Sequence, residues 1–320
     1  MSISEAIILY TKYRVSLGCK FRIKGFILNA FAEYVGKETC LQDIKVEQCT
    51  SYLYKKGCKN DSVTIYWFTI HTVLKGFFGW CVERGLLDSV PLSSLTPKKP
   101  LAYIPYIYSD KELASIFKNA LTYRTHFVIL YPEMVQAILK TIYFLGLRPS
   151  EAIRLSVSDI HLHDGKYALI RETKFYKSRI VPFNSQVAMM FSSLMNWRCK
   201  QGIHLCPESP LFVDKRGNSY KLDSIQRAFR LICNAAGIHR SDRETSHSDV
   251  RLTDLRHTFA TNRITTWYKE GRDVQAMLPL LSTYLGHDNL NSTAVYISFT
   301  SELLQEASKK FELYHKSNKV

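Results

Sequence analysis

At 320 residues the chain is too long for one small core, and its length favours two domains of ordinary size. Hydrophobic residues at 46% and charged residues at 22% exclude bulk disorder. The charge balance is lopsided, with 43 Lys and Arg against 28 Asp and Glu giving a net +15. Such an excess suits a polyanionic partner, because each neutralised phosphate releases condensed counterions, although ribosomal and membrane-surface proteins are basic too. The eight cysteines are scattered without a C-x-x-C pair and read as reduced thiols of a cytoplasmic protein. The opening MSISEAIILYTKYR has no charged segment ahead of a sustained apolar run, and no stretch approaches the roughly 20 apolar residues of a membrane span. Neither secretion nor membrane insertion is expected.

In chain order, helical spacing of apolar residues runs over Ala6 to Leu17, over 21–36 and over Val46 to Leu53, and a longer apolar stretch follows from Val63 to about Leu87. In the second of these, Ile23, Phe26, Ile27, Ala30, Phe31 and Tyr34 recur at steps of three and four, which predicts one common face. A bundle of about four or five helices over residues 1–95 is the expectation. Between Leu95 and Tyr108, Pro97, Pro100 and Pro105 forbid a continuous helix and favour an extended strap, so 96–108 reads as an interdomain linker. Ser109 followed by Asp110 and Glu112 has the hydroxyl cap and first-turn acids of a helix start. Within the second domain, 109–320, the runs KYALIRE and SRIVPF are rich in β-branched and aromatic residues and meet at a short turn over Thr173 to Lys177. The expected fold class is mainly α, with a small β-hairpin or sheet in the second of two domains.

Arg148 and Glu151, in LGLRPSEAIRLSVSDI, stand three apart near a helix start, and alone they read as a surface ion pair. Further along come Lys174 in TKFYKSRIVP, Arg256 in LTDLRHTFAT, His287 in YLGHDN and Tyr296 in STAVYISF. With these runs in this order, the sequence resembles the tyrosine recombinase, or phage integrase, family over roughly residues 109–300. The resemblance implies a helical core-binding domain at 1–95 and a mixed α+β catalytic domain at 109–320, which close as a clamp around duplex DNA. It implies a site-specific recombinase that cuts and rejoins strands through a covalent 3′-phosphotyrosine on Tyr296, in integration, excision, transposition or resolution of a mobile element.

The residue types suit that chemistry. Attack on a phosphodiester adds charge to its non-bridging oxygens, which forked guanidinium donors stabilise, and Arg148 and Arg256 fit that role. The leaving 5′ oxygen must gain a proton, for which an ammonium on the hairpin turn is suitable, and Lys174 matches the family's lysine better than Lys177 does. By resemblance His287 donates a hydrogen bond to the scissile phosphate, while Glu151 orients Arg148 or a neighbouring donor. A phenol titrates at ~10, so Tyr296 needs a base or strong electrostatic help. The family's usual histidine, three residues before the second arginine, is here Thr253. Either the hydroxyl is tolerated, which is the preferred reading, or His257, His247 or water substitutes, or the protein is catalytically weak.

No cofactor and no metal are expected. There is no G-x-x-x-x-G-K-S/T loop, and neither His161 with His163 nor His204 with Cys206 has a four-ligand spacing. The expected partner is double-stranded DNA with an inverted-repeat-like site, bound by a homo-tetramer or by a hetero-tetramer with related recombinases. The tail carries Leu303, Leu304, Ala307 and Phe311 at helical steps, and by resemblance such a helix docks on a neighbouring protomer, packing in cis being the plainer alternative. Two rivals stand beside this reading. A type IB topoisomerase acts as a monomer, against which the tail and the motif spacing argue. A non-catalytic DNA-binding protein on a decayed recombinase scaffold is motivated by Thr253.

Overall fold

The computed structural model describes residues 1–60, 62–100, 103–122, 130–163, 165–171, 178–240 and 250–287, together with Thr293 and Tyr296. Two compact units divide the chain, residues 1–102 and 103–320.

In the first unit four helices pack together: α1 (Ile3–Ser16), α2 (Arg22–Val35), α3 (Val46–Gly57) and α4 (Ile65–Glu83). A two-residue antiparallel ladder, β1 (Cys58–Lys59) with β2 (Ser62–Val63), turns the chain between α3 and α4. At the start of α1 the Ser2 hydroxyl accepts from the Glu5 N–H at 3.3 Å, and the Glu5 carboxylate accepts from the Ser2 N–H at 2.9 Å. Two otherwise unpartnered amides are thereby satisfied. The core is aromatic, with Phe31 edge-on to both Phe78 and Tyr52.

The face of α2 differs from the one its spacing predicts. Gly25, Ile27, Leu28, Phe31 and Ala32 are buried, whereas Ile23 and Phe26 are 73% and 70% exposed. Apolar residues nearly encircle this helix, so period alone leaves its rotation open. The small residues Gly25 and Ala32 sit on the side that packs against α1, α3 and α4, and the bulkier Ile23 and Phe26 are left outside.

The second unit is built on α6 (Pro132–Leu145), which is apolar around most of its circumference and packs against α5 (Asp110–Thr122), α7 (Pro149–Ile153), α8 (Ser185–Lys200) and α10 (Asp254–Lys269). A helix hydrophobic on several sides belongs in a core. Among the described residues the other helices of this unit are α9 (Leu222–Ala235) and α11 (Val274–Leu285). The expected hairpin is present as β4 (Tyr167–Ile170) antiparallel to β5 (Arg179–Pro182), with Ile170 opposite Arg179. A short strand that the sequence did not announce, β3 (Ile160–His161), extends the sheet to the order β3-β4-β5. Ser109 caps α5 as its spacing suggests, its hydroxyl and N–H both donating to the Glu112 carboxylate at 2.8 Å. Among the described residues no helix is long and apolar enough to cross a membrane.

The prolines over 96–108 led to a linker reading for the whole stretch, yet its last six residues belong to the second unit. Tyr108 is buried in that unit's core, and its N–H donates to the Thr258 hydroxyl at 3.1 Å. The Tyr103 hydroxyl donates to the buried Asp254 carboxylate at 2.6 Å, and the Arg251 guanidinium lies 3.6 Å from the Tyr103 ring centroid. The strap is therefore fastened to the first turn of α10. Tyr103→Phe should destabilise the chain by about 1–3 kcal/mol, the usual result of leaving a buried polar group short of a partner. An unchanged denaturant midpoint for Tyr103→Phe would show that the strap is loosely held.

Candidate active site

Four chain segments converge in the second unit. The α6–α7 junction supplies Arg148 and Glu151, the first residue of β5 supplies Arg179, α10 supplies Arg256 and His257, and the stretch after α11 supplies His287 and Tyr296. Glu151 stands at the centre with a side chain only 2% exposed, so its pair with Arg148 is no surface salt bridge. Its carboxylate accepts from Arg148 Nη1 at 2.7 Å and from the Arg148 main-chain N–H at 3.0 Å. It also accepts from Arg179 Nη1 at 3.2 Å and Nη2 at 2.8 Å, and Arg256 Nη1 lies 3.8 Å away.

Each of these arginines also holds one carbonyl at the end of α11. Arg179 Nε donates to Tyr284 O at 2.8 Å, Arg256 Nη2 to Leu285 O at 2.8 Å and Arg148 Nη2 to Gly286 O at 2.6 Å. The last carbonyls of a helix have no partner inside it and carry partial negative charge, so cations are the natural donors there. Arg256 Nη1 reaches the end of α6 as well, donating to Gly146 O at 3.0 Å. Both helices end in glycines with left-handed backbone, Gly146 at φ 58° and Gly286 at φ 70°. A Cβ on Gly286 would stand 2.8 Å from Arg179 Nη1, and one on Gly146 would run into the Phe259 ring. The glycines of Leu-Gly-Leu-Arg and Leu-Gly-His are thus required twice over, by conformation and by space.

Tyr296 is buried, with two histidines beside it. Its hydroxyl lies 3.1 Å from His257 Nδ1, and its ring stacks on that of His287 at a centroid distance of 6.0 Å. His287 Nδ1 is itself 2.8 Å from the hydroxyl of the buried Thr293.

Burial and charge set the protonation states. Burial pushes the Glu151 carboxyl up, but the hydrogen bonds and charge of Arg179, followed by those of Arg148, outweigh it and hold the group at about 2. Burial, and then the charge of Arg148, lower Arg256 to about 10, so it stays a cation at neutral pH. Burial lowers His257 to about 4, assisted by Arg256 and Arg251. His287 is also lowered to about 4, by burial and then by Arg256, Arg148, His257 and Arg179. Both imidazoles are neutral at pH 7. Burial raises the Tyr296 phenol, against the opposing charge and hydrogen bond of Arg256. Such an arrangement can hold an anion against fixed guanidinium donors and present a hydroxyl to it.

Of the residues singled out in the sequence, Arg148, Glu151, Arg256, His287 and Tyr296 stand in this one cluster. Lys174, Lys177, His247 and the tail from 301 onward lie outside the described residues. Thr253 immediately precedes α10, in helical conformation, and its side chain makes no capping bond. Arg179 was not foreseen. The available signal was a charged residue opening the SRIVPF run directly after the turn. His161, considered above as a metal ligand, stacks on Tyr167 at 4.2 Å. Among the described residues no group of three or more His, Cys, Asp or Glu is placed to hold a metal ion.

The chain is two-unit and mainly helical, with a buried tyrosine beside interlocked arginines, and comparison gives the family. The model described as the phage integrase family matches residues 112–302, and the chain belongs to that family. A Sinorhizobium fredii protein carrying the name integrase/recombinase is 27% identical over 310 residues, 96% of each chain. Tyrosine recombinase XerC of Bacillus subtilis is 25% identical over 273 residues, 84% of this chain and 80% of that one. Among solved structures, the Tn1549 transposon integrase in complex with transposon right end DNA superposes with a TM-score of 0.67 at 12% identity, covering 98% of this chain and 99% of that one. The XerH site-specific recombinase bound to palindromic difH substrate gives 0.63 at 22% identity, covering 97% and 85%.

The protonation states fix the response to acid. The folded-state values of His257 and His287 lie below the ordinary 6.5, so the unfolded chain takes up protons first and stability falls as pH drops from 6.5 to about 4. The Glu151 contribution is complete above the ordinary 4.5 and is lost as pH falls from there toward 2. Two stages of acid weakening are expected in denaturant midpoints measured across pH, and a flat midpoint between 6.5 and 4 would contradict the first. At neutral pH Glu151→Gln should cost about 3–5 kcal/mol, as removal of one partner from a buried ion pair does.

Proposed function

We propose that this chain is a site-specific recombinase, which cleaves and rejoins DNA strands through a covalent 3′-phosphotyrosine on Tyr296. The observation that carries the reading is the placement of a buried tyrosine hydroxyl beside Arg256, within the same cluster as Arg148 and two neutral histidines. In this mechanism the Tyr296 oxygen attacks the scissile phosphorus while Arg148 and Arg256 stabilise the charge that develops on the non-bridging oxygens. Arg148 is the more accessible, with a side chain 30% exposed against 3% for Arg256. His287 donates to the phosphate from Nε2, its Nδ1 lying 2.8 Å from the Thr293 hydroxyl. Glu151 and Arg179 hold the arginines in position. Lys174 protonates the leaving 5′ oxygen.

Duplex DNA is the substrate and partner, and the net +15 charge favours its binding. Residues 1–95 act as the core-binding domain and 109–320 as the catalytic domain. A lambda integrase tetramer bound to a Holliday junction has a related fold, with a TM-score of 0.62 at 15% identity. That assembly is carried over here as a tetramer on an inverted-repeat-like site, with the C-terminal tail linking neighbours.

Tyr296→Phe should abolish covalent attachment to a nicked suicide substrate while DNA binding in a gel shift stays nearly intact. Phosphotyrosine mapped to another residue would overturn the assignment. Arg148→Lys keeps the charge but loses the fork, and cleavage should slow by about 10²–10³-fold, as when one oxyanion donor is removed.

The role of Lys174 calls for a different substrate. A 5′-bridging sulfur leaves without protonation, so it should rescue Lys174→Ala but not Arg148→Ala. Equal rescue of both would exclude Lys174 as the proton donor.

A further inference from the structure

A phenol that becomes a phosphate ester must give up its proton to something within reach. A threonine hydroxyl cannot hold that proton near neutral pH, so Thr253 cannot serve. Resting on the function proposed above, we propose that His257 takes the proton from Tyr296 during attack and returns it during religation, making His257 a catalytic residue of this chain.

Among the described residues, His257 offers an imidazole nitrogen to the phenol. His257 Nδ1 lies 3.1 Å from the Tyr296 hydroxyl, within hydrogen-bond reach of the proton to be moved. The other neighbouring imidazole, His287, meets Tyr296 ring on ring with an interplanar angle of 22° and has its Nδ1 on Thr293, so no lone pair of that nitrogen faces the phenol. His257 follows Thr253 by one helical turn, its N–H bonded to Thr253 O at 3.2 Å. Helical side chains lean toward the N-terminus, so an imidazole at 257 covers the turn that begins at 253. A base mounted at 257 can therefore act over the ground in front of position 253.

The step balances as follows. The Tyr296 O–H bond breaks and its proton passes to His257 Nδ1, whose ring already carries a proton on Nε2. The phenolic oxygen forms a bond to phosphorus, and the bond from phosphorus to the 5′ oxygen breaks with protonation of that oxygen by Lys174. Religation reverses each transfer. The cations facing His257 are Arg256, beside it in α10, and Arg251, just ahead of α10, while the Tyr296 phenol and the His287 imidazole face it from the chain beyond α11. Burial, helped by the two cations, keeps His257 neutral when DNA is absent. The negative charge of a bound phosphate opposes those cations and raises the basicity of the imidazole as the proton arrives.

The test uses the full chain on a nicked suicide substrate. In His257→Asn the amide can keep a hydrogen bond near the Nδ1 position but cannot take a proton. Covalent attachment should slow by about 10²–10⁴-fold, the range that general-base catalysis contributes, with gel-shift affinity unchanged. A fluorinated, more acidic tyrosine installed at position 296 ionises without a base, so it should restore at least tenfold of the rate to His257→Asn and none to Arg148→Ala. Wild-type attachment through Tyr296 together with a wild-type rate for His257→Asn would overturn the proposal and leave the recombinase reading standing. A slow His257→Asn that the acidic tyrosine does not rescue would also overturn it, showing that the histidine only positions the phenol. Absence of any covalent complex from wild type would overturn both.

Discussion

A single carboxylate, that of Glu151, gathers three guanidinium groups, and these in turn grip the last carbonyl groups at the end of α11. Everything else in the site hangs from this lattice. It fixes the point where α11 stops, and so fixes where His287 begins. It draws the α6–α7 junction, the start of β5 and the first turn of α10 into one place, though they are far apart in the chain. Three cations against one anion leave an excess of two positive charges in a mostly buried volume. A phosphodiester supplies one negative charge, and attack by an oxygen nucleophile places more on its non-bridging oxygens. The excess is met most fully as the reaction proceeds, which is the condition for stabilising a transition state rather than a bound ground state.

Burial, assisted by the charges of the same lattice, makes the histidines neutral. Imidazoles set among guanidinium groups and removed from water lose their protons well above the acidity at which they would otherwise do so. A neutral imidazole can donate from one nitrogen and accept at the other, which a protonated ring cannot do. Both His287 and His257 therefore stand as neutral rings beside Tyr296.

Much of this was legible in the sequence, and the reasons for the rest are physical. Arg148 and Glu151 could be paired on spacing because they meet across one short turn, and the glycines of the two Leu-Gly runs mark helix ends directly. Arg179 with Glu151 and His257 with Tyr296 are contacts between residues 28 and 39 apart, which no local period encodes. His257 is one of three substitutes the sequence offers for the missing base, and its approach to the phenol is visible only in the fold. The rotation of α2 escaped because its apolar residues run almost all round it, so that small residues rather than hydrophobic ones chose the inner face. The strap escaped for the reverse reason. Its prolines announce extended chain, and extended chain can be tightly packed when its tyrosines find partners such as Asp254.

The double duty of the arginines bears on how such a protein changes under selection. Arg179 and Arg256 close helix ends and neutralise a buried carboxylate, so a lineage that no longer needed DNA cleavage would still be obliged to keep them in order to fold. Their persistence in a descendant sequence is testimony to architecture and says little about trade. The Tyr296 hydroxyl closes no helix end, although it meets His257 and Arg256 within the cluster. Loss of catalysis in this fold would therefore leave the arginine scaffold standing.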